Sequence, residues 1–89
     1  MTKKAIRFTA SWCGPCKAYA PMFEKASKEN TEWEFETVDI DRNPEIGEKY
    51  GVRSIPTTIF EMNDDVIGKT VGILQTSELI KKLEELNEK

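Results

Sequence analysis

The segment ASWCGPCKAYAP, residues 10–21, contains both cysteines of this 89-residue chain, Cys13 and Cys16. A proline near the start and the helix-forming residues that follow predict a helix over residues 14–30. Cys13 then lies beside the N-terminus of this helix, where unpaired backbone N–H groups and the helix dipole favour an anion. Because a thiolate is such an anion, the segment predicts a reactive cysteine.

The two cysteines are expected to have different roles. Cys13 attacks a disulfide as the thiolate, and Cys16, one helical turn further on and more buried, resolves the mixed disulfide. Gly14 lets a partner chain approach closely, and Pro15 stiffens the turn that keeps the sulfurs at bonding distance. We therefore expect the pair to cycle between a dithiol and a Cys13–Cys16 disulfide.

Two other uses of the cysteine pair stay open at this point. A structural zinc ion needs four ligands, and with two cysteines and no histidine the chain would have to share the ion with a second chain. A purely structural disulfide is the other use, although closing so short a loop removes little entropy from the unfolded chain. The redox interpretation explains more of the neighbouring residues, so we expect no bound metal or cofactor.

Length and composition predict a single domain over residues 1–89. The hydrophobic content of 38% is enough for one core, and the net charge of -3 with interspersed charges argues against nucleic acid as the main partner. No apolar run approaches the roughly 20 residues that cross a bilayer, and no signal-peptide pattern follows the basic start. We expect a cytoplasmic monomer with no nucleic-acid or membrane partner.

Strand and helix patterns alternate along the chain. Strands are predicted at Ala5–Ala10, Trp33–Ile40, Thr57–Met62 and Val66–Val71. The first two fit parallel pairing, and the last two flank a polar turn and fit a hairpin. Two further helices are predicted, a short one with Asn43 as its cap and Gly51 as its stop, and a last one from about Thr76. The last helix is expected to bury Leu79, Ile80, Leu83 and Leu86. The pattern is that of a small βαβαββα domain of the α/β class.

The string WCGPC, followed by Lys17 and Pro21, resembles the active-site segment of thioredoxins. The match continues over residues 39–60, DIDRNPEIGEKYGVRSIPTTIF, and over VGI at 71–73, which resembles the glycine-bearing substrate loop. Thioredoxins begin with an extra strand and helix, whereas this sequence starts close to the strand before the motif. The resemblance therefore implies a minimal thioredoxin-like fold, with a four-stranded mixed sheet in the order 2-1-3-4 flanked by helices.

The resemblance also implies which residues form the substrate surface. In the family, the proline matching Pro56 follows a cis peptide bond and faces the cysteines. Backbone beside such a proline can pair with an extended peptide, which assigns substrate binding to Ile55, Pro56, Thr57 and Gly72. An apolar rim around Cys13 is expected from Trp12, Gly14, Pro15 and Ile73. A core position for Trp12 is the alternative, since large aromatic side chains are usually at least partly buried.

Two departures from the family pattern lie outside the motif. The aspartate that family members bury five residues before the motif tryptophan is matched by Arg7, and its lysine partner is matched by Thr37. A guanidinium cannot act as a base near neutral pH. Either the charge of Arg7 favours the Cys16 thiolate directly, or its stem packs and its head reaches water.

The resemblance implies a thiol:disulfide oxidoreductase that reduces protein disulfides through Cys13 and Cys16. Its electrons would come from NADPH through a thioredoxin reductase-like donor. A glutaredoxin-like protein recharged by glutathione is an alternative within the same class, although the Gly-Pro pair and the Ile55-Pro56-Thr57 segment are closer to thioredoxin. A binding subunit with incidental thiols is an alternative from another class.

Overall fold

The order of strands and helices in the computed structural model follows the sequence pattern. The structure describes residues 2–87; residues 1, 88 and 89 of the expected domain lie outside the described residues. The elements are β1 (Lys3–Thr9), α1 (Gly14–Glu29), β2 (Glu34–Asp39), α2 (Pro44–Lys49), β3 (Thr57–Met62), β4 (Asp65–Val71) and α3 (Thr76–Asn87). The predicted βαβαββα order is confirmed, with small shifts at several element ends.

The four strands form one mixed sheet in the order β2-β1-β3-β4, which confirms the predicted order. β1 pairs with β2 in parallel and with β3 in antiparallel orientation, and β3 pairs with β4 as the predicted hairpin. Asn63 and Asp64 connect the hairpin strands with φ angles of 51° and 70°. Positive φ at both residues matches the right-handed twist of the flanking strands.

Each face of the sheet has its own apolar cluster, because side chains alternate along a strand. α1 and α3 cover one face, where Tyr19, Phe60 and Leu83 are among the buried residues. The short helix α2 packs on the opposite face over Ile6 and Phe8. Leu79, Leu83 and Leu86 of α3 are buried as predicted, whereas Ile80 is only half-buried. Among residues 2–87, no helix combines the length and hydropathy required to cross a bilayer.

α2 begins at Pro44 with Asn43 as its N-cap, as predicted. Asn43 precedes the helix, but its side chain makes no capping hydrogen bond. The carboxylate of Asp39 instead accepts the backbone N–H groups of Asp41 at 2.8 Å and Arg42 at 3.3 Å. An aspartate that bonds to the backbone two residues on forms a turn by itself, so the turn before α2 depends on Asp39. Gly51 follows the helix with a φ of 66°, as expected of a stop.

Candidate active site

The first turn of α1 directs polar backbone groups at Cys13. Cys13 is the N-cap in extended conformation, and its Sγ accepts the Cys16 backbone N–H at 3.2 Å. The first turn contains no acidic side chain that would offset the positive end of the helix dipole. Pro15 is the second residue of the helix and not the first, because the helix already begins at Gly14. A negative charge on the Cys13 sulfur is therefore favoured by its place in the fold.

Cys13 and Cys16 form a disulfide, with their Cα atoms 5.3 Å apart. Cys16 is fully buried and Cys13 is 5% exposed, so the order of exposure is the predicted one. The attacking sulfur is nevertheless recessed and not freely exposed, because Ala10, Ile40 and Ile55 pack around the pair. A substrate disulfide must therefore come into close contact with the surface around Cys13.

Two loops meet beside the cysteines. The Ile55–Pro56 peptide bond is cis, as the resemblance implied, and Ile55 packs against the cysteine cluster. The Pro56 carbonyl accepts the Gly72 backbone N–H at 2.8 Å, which joins the two loops. Gly72 has a φ of 96°, a conformation that side-chain-bearing residues rarely adopt. This hydrogen bond sets Ile55 and Ile73 on adjoining segments at the same end of the sheet.

Thr57 lies below this surface and not on it. Its side chain is 1% exposed, and its hydroxyl donates to the Ser54 carbonyl at 2.5 Å. The expected contact of Thr57 with substrate is therefore not available to its side chain. The hydroxyl instead ties β3 to the loop that leads to Pro56. Substrate contacts of Ile55, Pro56, Gly72 and Ile73 stay predictions.

The residues predicted to form an apolar rim around Cys13 are exposed. Trp12 is 67% exposed and Ile73 is 41% exposed, and Gly14 and Pro15 are exposed as well. The alternative core position of Trp12 is therefore wrong. Its indole N–H donates to the Asp41 carboxylate at 2.8 Å, and this hydrogen bond holds the exposed ring against the protein. Asp41 lies 29 residues from Trp12, and no local sequence signal links them.

Lys17 and Pro21 are exposed on α1. The Lys17 backbone N–H donates to the Cys13 carbonyl at 3.3 Å, so the helical hydrogen-bond pattern begins at Cys13. Pro21 lies inside the helix, which continues to Glu29 as predicted. The suggested influence of both side chains on the cysteines stays a prediction.

Arg7 lies against the first turn of α1. Its Nη1 donates to the Cys16 carbonyl at 3.4 Å, its Nη2 donates to the Thr37 hydroxyl at 3.2 Å, and its guanidinium carbon lies 5.6 Å from the Phe23 ring centroid. Burial lowers the pKa of Arg7, and the nearby Tyr19 opposes this shift. Arg7 also lines a surface cavity of about 230 Å³, so its head is held against the protein and still borders water, and both expected roles of Arg7 stay predictions.

A buried hydroxyl pair accompanies Arg7 behind the cysteines. The Tyr19 and Thr58 hydroxyls are hydrogen-bonded at 2.8 Å, and both residues are fully buried. Burial raises the pKa of Tyr19, against smaller opposing effects of the Thr58 hydrogen bond and the Arg7 charge. Sequence reasoning missed this pair. Its available signals were the spacing of Tyr19 from Cys16, which places both on one helix face, and the central strand that contains Thr58.

The comparisons with known proteins agree with this geometry. The family model described as Thioredoxin matches residues 2–85. The chain belongs to the thioredoxin family. It is 40% identical over 77 residues to the thioredoxin of Mycoplasmoides gallisepticum, covering 86% of this chain and 77% of that protein. The thioredoxin of Rickettsia bellii is 39% identical over 77 residues, covering 85% of this chain and 73% of that protein.

A solved structure shows the same fold. The crystal structure of mitochondrial thioredoxin 3 from Saccharomyces cerevisiae, in its oxidized form, has a TM-score of 0.86 and 31% identity to this chain. The match covers 93% of this chain and 77% of the yeast chain. With the disulfide-forming pair at the start of α1, these likenesses make the chain a thiol–disulfide oxidoreductase. Within residues 2–87, no three His, Cys, Asp or Glu side chains cluster in a way that could hold a metal ion.

Proposed function

We propose that this chain reduces disulfides in other proteins, and that it does so in the cytoplasm as a monomer. The observation that carries the proposal is the placement of Cys13 at the positive end of α1, with Cys16 buried behind it and an exposed apolar rim in front. Its oxidised form regains two electrons from NADPH through a thioredoxin reductase-like donor.

The exchange proceeds in two balanced steps. The Cys13 thiolate attacks one sulfur of the substrate disulfide, so a Cys13–substrate bond forms and the other substrate sulfur leaves as a thiolate. Cys16 loses its proton and attacks the Cys13 sulfur, which forms the Cys13–Cys16 disulfide and releases the second substrate thiolate. The substrate gains two electrons and takes up two protons, and the cysteine pair is oxidised.

The surface around Cys13 suits an unfolded or extended substrate segment. Gly14 has no atom within 4 Å of the place where a Cβ would be, so a substrate backbone can lie directly beside Cys13. Trp12 and Ile73 offer apolar contacts on the rim. Such a surface recognises main chain and apolar side chains more than a particular sequence, so we propose a broad range of disulfide-containing protein substrates.

An insulin-reduction assay tests the proposal. Purified chain is supplied with NADPH and a thioredoxin reductase, or in parallel with NADPH, glutathione and glutathione reductase. We expect turnover with the thioredoxin reductase, none for Cys13→Ser, and a trapped covalent complex with substrate for Cys16→Ser. The trapped complex forms because Cys16→Ser keeps the attacking thiol and removes the resolving one.

The other outcomes identify the alternatives. Turnover with glutathione alone would favour the glutaredoxin-like function. Absence of turnover with both donors, with partner binding retained in a Cys13→Ser/Cys16→Ser variant, would favour a binding subunit. Light scattering that gives the mass of two chains would refute the monomer, and localisation of the tagged chain outside the cytoplasm of its host would refute the proposed compartment.

A further inference from the structure

Arg7 brings a positive charge to the back of the redox pair and forms no ion pair within residues 2–87. The ion pairs among residues 2–87 are Lys3–Glu32 and Lys4–Glu36, and neither involves Arg7. Its Nε–H is buried and has no hydrogen-bond partner in the described part of the chain. Arg7 is half-buried and has no ion-pair partner in that part of the chain, so its charge acts on the groups that lie nearest to it.

The contacts of Arg7 fix the guanidinium beneath the resolving cysteine. Arg7 alternates with Ile6 and Phe8 along β1 and so extends from the face of the sheet that α1 covers. The Thr37 hydroxyl on β2 and the Phe23 ring on α1 hold the head from two sides, and the Cys16 carbonyl accepts from it. The charged guanidinium of Arg7 is therefore hydrogen-bonded to the backbone carbonyl of Cys16.

Given the proposed disulfide exchange, on which this inference rests, we propose that Arg7 is a positioning residue that stabilises the reduced pair. It holds the first turn of α1 on β1, and its charge favours the thiolate form of the cysteines over the uncharged disulfide. Stabilising the reduced form makes a dithiol a weaker reductant. The pair is then less reducing than the same pair with a neutral residue at this position.

The other groups around Cys16 do not offset this charge at neutral pH. From α1, Glu24 lines the same surface cavity as Arg7 but forms no ion pair with it within residues 2–87. Tyr19 is a neutral phenol whose pKa burial raises further, and Lys17 adds a positive charge at the exposed surface. On the face that α1 covers, β3 contributes the neutral side chains of Thr58 and Phe60, and the surroundings of the cysteines toward Ile40 and Ile55 are apolar. The guanidinium donates to the backbone carbonyl of Cys16 at 3.4 Å, a nearby positive charge favours a thiolate, and the guanidinium stays charged over the working pH range.

Four variants of the full chain separate the effect of the Arg7 charge from the effect of its hydrogen bonds and shape. Arg7→Met removes both the charge and the hydrogen bonds, and Arg7→Gln removes the charge but keeps amide donors for the Cys16 carbonyl. Arg7→Lys keeps the charge. Lys28→Met is the matched control, because Lys28 is exposed in the last turn of α1 and its loss changes the net charge equally.

The readouts are the thiolate absorbance titration of the reduced protein and the equilibrium with glutathione, in which protein disulfide and two glutathione molecules give dithiol and glutathione disulfide. We expect Arg7→Gln and Arg7→Met to raise the titration midpoint by about one pH unit. We expect them to shift the equilibrium about tenfold toward the protein disulfide, which corresponds to a potential about 30 mV more negative. Arg7→Lys and Lys28→Met are expected to stay near wild type.

Unchanged midpoints and potentials in Arg7→Gln, with only a lower urea midpoint, would reduce Arg7 to a structural residue and overturn the inference. A shift in Arg7→Lys as large as that in Arg7→Met would overturn the role of charge. Arg7→Gln decides the question if Arg7→Met does not fold. Neither readout uses a protein substrate, so failure of the proposed function would show separately, as wild-type chain that equilibrates with glutathione but does not reduce insulin.

Discussion

Replacing Tyr19 with phenylalanine removes one hydroxyl from a pair that lies fully inside the protein. Tyr19 on α1 and Thr58 on β3 are each 0% exposed, and their oxygens are 2.8 Å apart. The phenylalanine ring keeps the contact with Phe23, whose centroid lies 5.8 Å from that of Tyr19. The substitution therefore tests the hydrogen bond by itself, at the point where the cysteine-bearing helix rests on the sheet.

The cost follows from the hydroxyl that is left behind. In Tyr19→Phe the Thr58 oxygen stays buried without its partner, which costs about 1–3 kcal/mol of unfolding free energy. Thr58→Val leaves the Tyr19 hydroxyl in the same position and is expected to cost a similar amount. Tyr19→Phe/Thr58→Val removes both polar groups and keeps both shapes, so it is expected to be close to neutral. The single variants should melt lower by about 4–8 °C for each kcal/mol lost.

Urea unfolding of the oxidised proteins, followed by far-UV circular dichroism, gives the free energies for the double-mutant cycle. A positive coupling energy of at least about 1 kcal/mol is expected between the two sites, because they share one buried hydrogen bond. If the losses of the single variants simply add in the double variant, the reasoning is refuted. Because both hydroxyls are neutral, Tyr19→Phe should leave the glutathione equilibrium unchanged, in contrast to the neutral Arg7 variants.

Two further predictions concern the active-site surface and the alkaline stability. Gly14→Ala places a methyl group in open space, so we expect the stability and the reduction of a small disulfide compound to be unchanged. We expect kcat/KM for insulin to be several-fold lower, because the methyl group would meet the substrate backbone. An equal loss of kcat/KM for both substrates would contradict the proposed close approach of the substrate backbone. Burial, followed by the Glu61 carboxylate, raises the pKa of Tyr50 to about 12 from an ordinary value of about 10. Because the folded-state pKa is the higher one, this contribution to stability is full below about pH 10 and is lost as the pH rises toward 12. The urea midpoint of Tyr50→Phe should therefore fall less between pH 9 and pH 11 than that of wild type, and an equal fall in both proteins would contradict the assignment.

Much of the fold could be predicted because its signals are local. The hairpin pattern, in which one segment lies on each side of a polar turn, predicted the bounds of β3 correctly, and the spacing of Leu79, Leu83 and Leu86 predicted the buried face of α3. Asn43 is the N-cap of α2 as predicted, but its side chain makes no capping hydrogen bond, whereas Asp39 accepts the backbone N–H groups of Asp41 and Arg42 in the turn before the helix. Asp and Asn are both common in turns and at helix caps, so residue type alone does not predict which of these two side chains forms a hydrogen bond.

By itself, the sequence determined the chemistry of this protein. Two cysteines separated by Gly14 and Pro15, before a helix and without histidine, specify a thiol pair at a helix N-terminus, because each of those features acts over a few residues. The tertiary structure decided how that pair is surrounded. It recessed Cys13, set Trp12 against Asp41, and brought Arg7 under Cys16. These contacts depend on how helices and strands pack, and packing joins residues whose separation along the chain carries no local signal.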